Sequence, residues 1–382
     1  MRLSLYGGFG EKGRTCIGVE SDGYRIVLDA GVKTSARGAD YYPAVAAETL
    51  CAIDAIVVTH GHEDHAAALG WCIAGGFRGR IFMTPETWRD ARSALEGYAE
   101  PRDARLAEQA KIEPLPLGDD ALRLGPFRVS TGRAGHVAGG VWCRVDDARV
   151  SFDYCGDVVP ASPVFAMDPL PRCQAVAIDA SYGDDDVSAN ARADQIRRWI
   201  ESHPEGCVLP TPLYGRSAEL LAVVPGPVAL APGMREALRS QVEGTRWVVD
   251  DARAMLAARL DAAKDWDARA PLPEAALLCH DGMGISGPAR SILERARSHG
   301  SPTLFTGHLP EGSPGERMVS EGRADWIRLP THPTLAENRA LAAACGAGTV
   351  LGHSCEPAVL ARLARHLPRL RAALATGDCL DL

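Results

Sequence analysis

Seven consecutive residues constrain this chain more than any other stretch: Thr59-His60-Gly61-His62-Glu63-Asp64-His65. They follow the apolar run Ile53–Val58, which reads as a strand buried on both faces. They open a helical pattern expected over Asp64–Ala74. Ligands at a strand's C-terminal end sit where layered α/β folds place their sites. His60 and His62 flank one glycine, so both rings can turn to one side of a loop. Asp64 and His65 begin the next helix and can face a second position. Three imidazoles and a carboxylate within six residues are costly to satisfy in a core without a cation. Metal binding is the reading that accounts for all four.

More oxygen and nitrogen donors lie far along the chain. His136 sits in the glycine-rich Ala134-Gly135-His136-Val137-Ala138-Gly139-Gly140. Asp157 follows a strand expected over Ala148–Asp153, and His353 follows the apolar Val350-Leu351. Each alone is weak, since an Asp after Gly is usually a turn residue. Together with the first four they supply enough ligands for two metals. Imidazole and carboxylate without thiolate suit zinc or manganese. Cys155 and Cys355 each stand two residues from a proposed ligand, and buried packing is the expectation for both.

The remainder of the chain sets limits. Hydrophobic residues make up 46% of the 382 and charged residues 24%, ordinary for a globular protein with at least one sizeable core. The 41 basic and 49 acidic residues give a net charge of −8, against a broadly cationic surface though not against a local basic groove. Only Lys12, Lys33, Lys111 and Lys264 are lysines; the other basic residues are arginine, suited to bidentate phosphate contacts. No apolar run reaches the roughly 18 residues that would mark a membrane span. The opening MRLSLYGGFGEKG lacks the apolar core of a secretory signal. Eleven cysteines without a CxxC pair suit a reducing cytoplasm.

Short strands and helices alternate through the first half, with further strands expected at Tyr24–Asp29 and Ala175–Asp179 and a helix over Ala189–Ser202. From about Asn190 the texture changes. Apolar runs at Cys207–Leu209, Pro227–Leu230, Arg246–Val249 and Ala275–Cys279 alternate with arginine-rich helical stretches, as in a second compact α/β unit. Trp326–Pro330, Thr349–His353 and a closing helix read as a return to the first. Near the end, Arg362, Arg365 and Arg369 share one helix face that Pro368 interrupts, expected to be solvated.

The motif set resembles the metallo-β-lactamase superfamily, in which HxHxDH, a later His, a later Asp and a final His bind two metals. More narrowly it resembles the β-CASP nucleases, the family of ribonuclease J and the cleavage-and-polyadenylation endonucleases. Gly7-Gly8-Phe9-Gly10-Glu11 is similar to an opening GG-x-GE, and Asp29 in Val27-Leu28-Asp29-Ala30-Gly31 to a motif whose Asp orients the ligands. His136-Val137 with Gly139 resembles the third motif and Asp157 the metal-bridging fourth. Asp179, His332 and His353 match the three motifs that distinguish β-CASP proteins. The resemblance implies an α/β fold, a metallo-β-lactamase αββα sandwich at 1–189 and 326–382 with a β-CASP domain inserted at 190–325. It implies two divalent ions: His60, His62 and His136 for one, Asp64, His65 and His353 for the other, Asp157 shared. Asp64, Asp179 and His332 would carry the catalysis, and the final His tilts the substrate toward RNA, with DNA open. Three positions depart from the family pattern: Thr334 replaces an acid, Ser354-Cys355 replace Gly-Glu, and His308 stands where an aromatic is common.

Two glycine-rich segments, Asp281–Pro288 and Thr306–Gly312, resemble pieces of the inserted domain. Gly282–Gly287 also fits G-x-G-x-x-G before a helix near Pro288, but no following strand offers a ribose-binding acid. Amides at that helix start, with Ser286, Gly287 and Gly307, are instead candidates to receive an RNA phosphate. The expected reaction is phosphodiester hydrolysis at a two-metal site, by a cytoplasmic, non-membrane protein that could form homo-oligomers. Two rival classes share part of the evidence. A hydrolase of small esters, lactones or thioesters needs the His60–His65 cluster but not Asp179 or His332. A catalytically idle RNA-binding subunit would usually have lost metal ligands.

Overall fold

A computed structural model describes residues 1–244 and 246–382, with the backbone alone at Asp119. Among the described residues there are two large sheets. In the first, seven strands lie in the order Cys379–Asp381, Arg2–Gly7, Cys16–Ser21, Tyr24–Leu28, Ala55–Val57, Arg80–Met83, Ile112–Pro114. In the second, six lie in the order Thr349–His353, Ala175–Asp179, Ser151–Tyr154, Val141–Asp146, Phe127–Arg133, Gly118–Leu124.

Strand alternation builds the layers. Ile26 and Leu28, with Ala55 and Val57, face a core shared with Phe127, Val129, Phe152 and Ala177 of the second sheet. The residues between them, Val27, Ile56 and Val58, face the other way onto Ala66, Leu69, Cys72 and Leu95 of helices. On the second sheet Val176, Ile178 and Val350 likewise face outward, onto Leu341, Leu360 and Leu363. Side chains two residues apart share a face, so every central strand is apolar on both faces, the signature read at Ile53–Val58. The result is the helix–sheet–sheet–helix sandwich expected from the sequence.

The strands Cys207–Pro210, Ala276–Cys279, Val228–Leu230 and Lys264–Asp265 form a third, all-parallel sheet, a distinct α/β unit between Asp179 and His353. Arg246–Val249 is not one of its strands. Trp247 is buried there and Val248 bridges Phe165, so the run is apolar because it packs, not because it extends. At the boundary, Asp325–Trp326 pairs with Leu304–Phe305, and amide bonds from Ile327 to Phe305 and from Leu329 to Thr306 continue that pairing. The closing helix, Pro357–Ala364, ends before Pro368; Arg362 pairs with Asp184, and Arg369 donates to the Gly346 and Ala347 carbonyls.

The helix expected over Asp64–Ala74 is two pieces, Glu63–Ala66 and Leu69–Ala74. The break has a cause. The carbonyls of Glu63, Asp64 and His65 accept from the amides of Val32, Thr15 and Ala30 rather than only from the next helical turn. This lacing holds the ligand turn against the Asp29–Val32 loop. Gly31 makes it feasible, since a Cβ there would lie 1.7 Å from the Asp64 carbonyl oxygen.

Candidate metal centre

All seven proposed ligands converge where the strands of both sheets end. His60 Nε2 and His136 Nε2 each lie 3.1 Å from His62 Nδ1. Asp157 Oδ2 is 3.7 Å from both His60 Nε2 and His136 Nε2. Its other oxygen, Oδ1, is 3.2 Å from His65 Nε2, and Asp64 Oδ2 lies 3.8 Å from that nitrogen. His353 is fully buried beside Tyr154, at the end of the strand paired with Ala175–Asp179. Asp157 thus stands between two donor groups, one carboxylate oxygen toward each.

The residues fit a cation. His65 Nε2, His353 Nε2 and Asp157 Oδ1 are buried without a hydrogen-bond partner. Polar atoms in that condition are costly unless something else pairs with them. A tetrahedral zinc ion, with Zn–N of about 2.0–2.1 Å, separates its ligands by roughly 3.3 Å, close to the observed nitrogen spacing. His60, His62, His136 and Asp157 make one such group, and Asp157, Asp179 and His332 another.

Charge is arranged to match. Burial, then repulsion from neighbouring imidazoles, holds His60 far below its ordinary value, and burial brings His136 down to about 3. These rings are therefore neutral lone-pair donors at neutral pH, the form a metal requires. At His65 burial is outweighed by Asp157, Asp64 and Asp29, which raise it. Burial works against the Asp157 carboxylate too, but His65 and His332 hold it well below the usual range.

Three of the imidazoles are aimed by an oxygen behind them. His65 Nδ1 donates to Asp29 Oδ2 at 2.7 Å, His136 Nδ1 to the Thr331 carbonyl at 2.7 Å, and His353 Nδ1 meets Ser354 Oγ at 3.0 Å. These bonds turn Nε2 toward the site. Asp29, at φ +62°, also accepts from the Thr59 amide and hydroxyl and from the Tyr154 hydroxyl. Asp29→Asn should keep the packing yet weaken metal binding about 10–100-fold, measured by competition with a chelator. Unchanged affinity would separate Asp29 from the centre.

Beside the cluster, His332 Nδ1 donates to Asp179 Oδ2 at 2.8 Å. Burial pushes Asp179 up, and His332 more than reverses it, so the carboxyl is held below its ordinary value. Thr334, the departure from an acid, caps the helix Leu335–Cys345 in a reciprocal box with Glu337. Ser354, the second departure, supports His353. Cys155 and Cys355 are packed in the core as expected.

The glycine-rich segment differs from its expected role. Asp281 accepts from the amides of Met283, Ile285 and Ser286, from the Ser286 hydroxyl and from Tyr98. The donors proposed for a phosphate at Ser286 are thus bound within the loop, because the loop supplies its own anion. Gly287 stands instead against the His280 ring, where a Cβ would come within 2.8 Å. Gly307 makes room for the Arg216 guanidinium, 2.1 Å from where a Cβ would sit.

Arg216 and Lys12 were not singled out by sequence. Both line a cleft of about 180 Å³ with His62, Asp64, Asp157, His308 and His332. Arg216 donates to Thr331 Oγ1 at 3.0 Å, and its Nε is buried without a partner. Lys12 directly follows the GG-x-GE segment, the one signal that could have drawn attention to it.

The metallo-beta-lactamase superfamily profile matches residues 10–205, just over half of the chain and all the ligands from His60 to Asp157. The chain belongs to that superfamily. Among curated members with similar sequences, "Transcription termination factor FttA" of Cenarchaeum symbiosum (strain A) is 27% identical over 271 residues, covering 63% of this chain and 42% of that protein. "Cleavage and polyadenylation specificity factor 73" of Drosophila melanogaster is 26% identical over 247 residues, covering 59% and 35%. "Endoribonuclease ysh1" of Schizosaccharomyces pombe (strain 972 / ATCC 24843) is 23% identical over 351 residues, covering 81% and 46%. The chain spans less than half the length of these relatives. Their names are of the kind the β-CASP resemblance pointed to, so that recognition holds. A solved structure from Enterococcus faecalis V583, described as a protein of unknown function, shares the fold with a TM-score of 0.64 at 12% identity, covering 100% of this chain and 99% of that one. Among the described residues no helix is long and apolar enough to cross a membrane.

Proposed function

We propose that this superfamily member is a metal-dependent phosphodiester hydrolase acting on RNA. The observation that carries the reading is the pairing of an intact His/Asp cluster with the His332–Asp179 contact at 2.8 Å, on the rim of a cleft closed by the second α/β unit. An ester hydrolase would need only the cluster. We take residues 1–189 and 326–382 as the catalytic unit and 190–325 as the unit that closes over it.

His60, His62 and His136 would hold one divalent cation, and Asp64, His65 and His353 a second, with Asp157 shared; zinc or manganese suits this donor set. When bound, such a pair supplies a lowered water pKa and a clamp on phosphate oxygens. The chain's own residues do the rest. Asp179 fixes the His332 ring through Nδ1, leaving Nε2 to deliver a proton to the leaving oxygen. Arg216 and Lys12 bring positive charge to a strand lying in the cleft. Thr34 and Ser35 also line a neighbouring groove of about 680 Å³ that carries Arg37, Arg290, Arg297 and Arg317 beside Glu294, Glu311 and Glu321.

Lys12 has no hydrogen bond or ion pair among the described residues, so its ammonium is available to a phosphate. Lys12→Ala should raise KM for RNA and flatten the salt dependence of log Kd by about one phosphate contact. An unchanged slope would remove Lys12 from the substrate path. The reading as a whole is tested by incubating zinc- or manganese-loaded protein with 5′-labelled RNA, matched DNA and a generic ester. RNA cleavage without ester turnover is expected. Ester turnover without RNA cleavage rejects it.

A further inference from the structure

A second cluster lies in the outer layer of the six-stranded sheet and takes no part in the chemistry above. Asp153, Cys173 and Cys345 place one carboxylate oxygen and two sulfurs within 4.8 Å of one another. The three come from separate elements: the strand Ser151–Tyr154, the loop before Ala175–Asp179, and the last residue of the helix Leu335–Cys345. The Cys173 amide donates to the Cys345 carbonyl at 3.1 Å, which sets the two side chains beside each other. Asp153 and Cys345 are fully buried, and Cys173 is 9% exposed.

Asp153 is the anomaly. Its Oδ1 lies 3.4 Å from Arg144 Nη1, and its Oδ2 is buried with no well-formed hydrogen bond, the Cys173 thiol being the side chain that interacts with the carboxyl. A carboxylate oxygen left that way in a core is a standing penalty. We propose that Asp153 Oδ2 and the Cys173 and Cys345 sulfurs hold a structural divalent cation of the zinc class, separate from the His/Asp centre. Thiolate with a carboxylate oxygen is a donor set zinc accepts, and structural zinc sites are closed and buried. On binding, both thiols release their protons to solvent. Two thiolates and one carboxylate carry three negative charges, of which the cation answers two; Arg144, shared with Asp146 at 2.7 Å, faces the third. Arg144 on Oδ1 is the outer partner that orients the ligand. A disulfide between the two cysteines would satisfy the sulfurs but leave Asp153 Oδ2 as it is.

The cation would anchor the far end of the helix that follows His332. That helix already donates from Asn338 Nδ2 to the Asp179 carbonyl at 2.9 Å, so the anchor supports the His332–Asp179 pair from behind.

The inference stands independently of the nuclease reading, and cobalt(II) separates the two sites. Sulfur ligands give cobalt a thiolate charge-transfer absorption in the near ultraviolet; imidazole and carboxylate ligands do not. The cobalt-loaded full chain should show this band, and His62→Ala should retain it. Cys173→Ser and Cys345→Ser should lose it. Asp153→Asn, which keeps both thiols and the side-chain volume, should weaken cobalt retention at least about tenfold against a chelator. Cobalt bound with no thiolate band overturns the proposal. So does a thiol titration in denaturant that falls two short of eleven and recovers on reduction, which would mean a disulfide instead. Both measurements use the unmodified chain and decide the matter even if the serine variants do not fold.

Discussion

His332→Ala should lower kcat on RNA by about 10²–10⁴-fold while the metal content stays that of the parent protein. The split between the two readouts is the point. His332 is 14% exposed on the cleft and bonded to Asp179 through Nδ1, and that nitrogen lies 3.6 Å from Asp157 Oδ2. It belongs to neither of the two ligand sets proposed to hold cations, although its Nδ1 lies close enough to Asp157 and Asp179 to group with them. Removing it takes away the proton donor and none of the proposed ligands. KM should move little, because Arg216 and Lys12 still line the cleft. A poor leaving group needs a proton, so a substrate with an activated aryloxide leaving group should lose much less rate. If His332→Ala loses metal along with turnover, His332 is a ligand and the general-acid role is wrong. If turnover survives, the leaving oxygen is protonated from elsewhere.

Asp157→Ala should do more: bound metal should fall from two ions to one or none, and turnover by at least about 10³-fold. Asp157 alone places an oxygen toward each donor group, at 3.2 Å from His65 and 3.7 Å from His60 and His136. Without it the imidazoles retain their backing bonds to Asp29 and Thr331, so the fold should persist; circular dichroism would show this. The variant also removes the main charge that His65 answers to, the carboxylate that raises it most. His65 should then titrate at a lower pH than in the parent, visible by NMR of the metal-free protein. Two tightly bound ions in Asp157→Ala would show that the centre does not depend on a shared carboxylate.

These effects follow from positions that differ in how far the sequence disclosed them. The Thr59–His65 run carries its own evidence, since four donors beside one buried strand have no comfortable fate but a metal. His136, Asp157 and His353 were legible only as donors at strand ends; what joined them to the first four was resemblance. The strand limits at Tyr24 and Ala175–Asp179 were legible because apolar residues on both faces mark a central strand. The split of the helix after Ala66 was not, because it comes from hydrogen bonds to Thr15, Ala30 and Val32, 31 to 49 positions away. Arg246–Val249 failed for a related reason: a short apolar run says that a segment is buried, not how it is extended. Ser286 failed because the anion its loop binds is its own Asp281.

The sequence by itself determined the alternating strands and helices and the donor chemistry of the Thr59–His65 run, because periodicity and residue type are local properties that each segment carries wherever it goes; the sandwich came from resemblance. Only the tertiary structure decided which atoms meet. It set Asp157 between two groups of donors, His332 against Asp179, Lys12 and Arg216 on the cleft, and two distant cysteines beside a stranded carboxylate. Such pairings depend on how sheets register and helices pack across more than a hundred residues, and no local pattern encodes that distance.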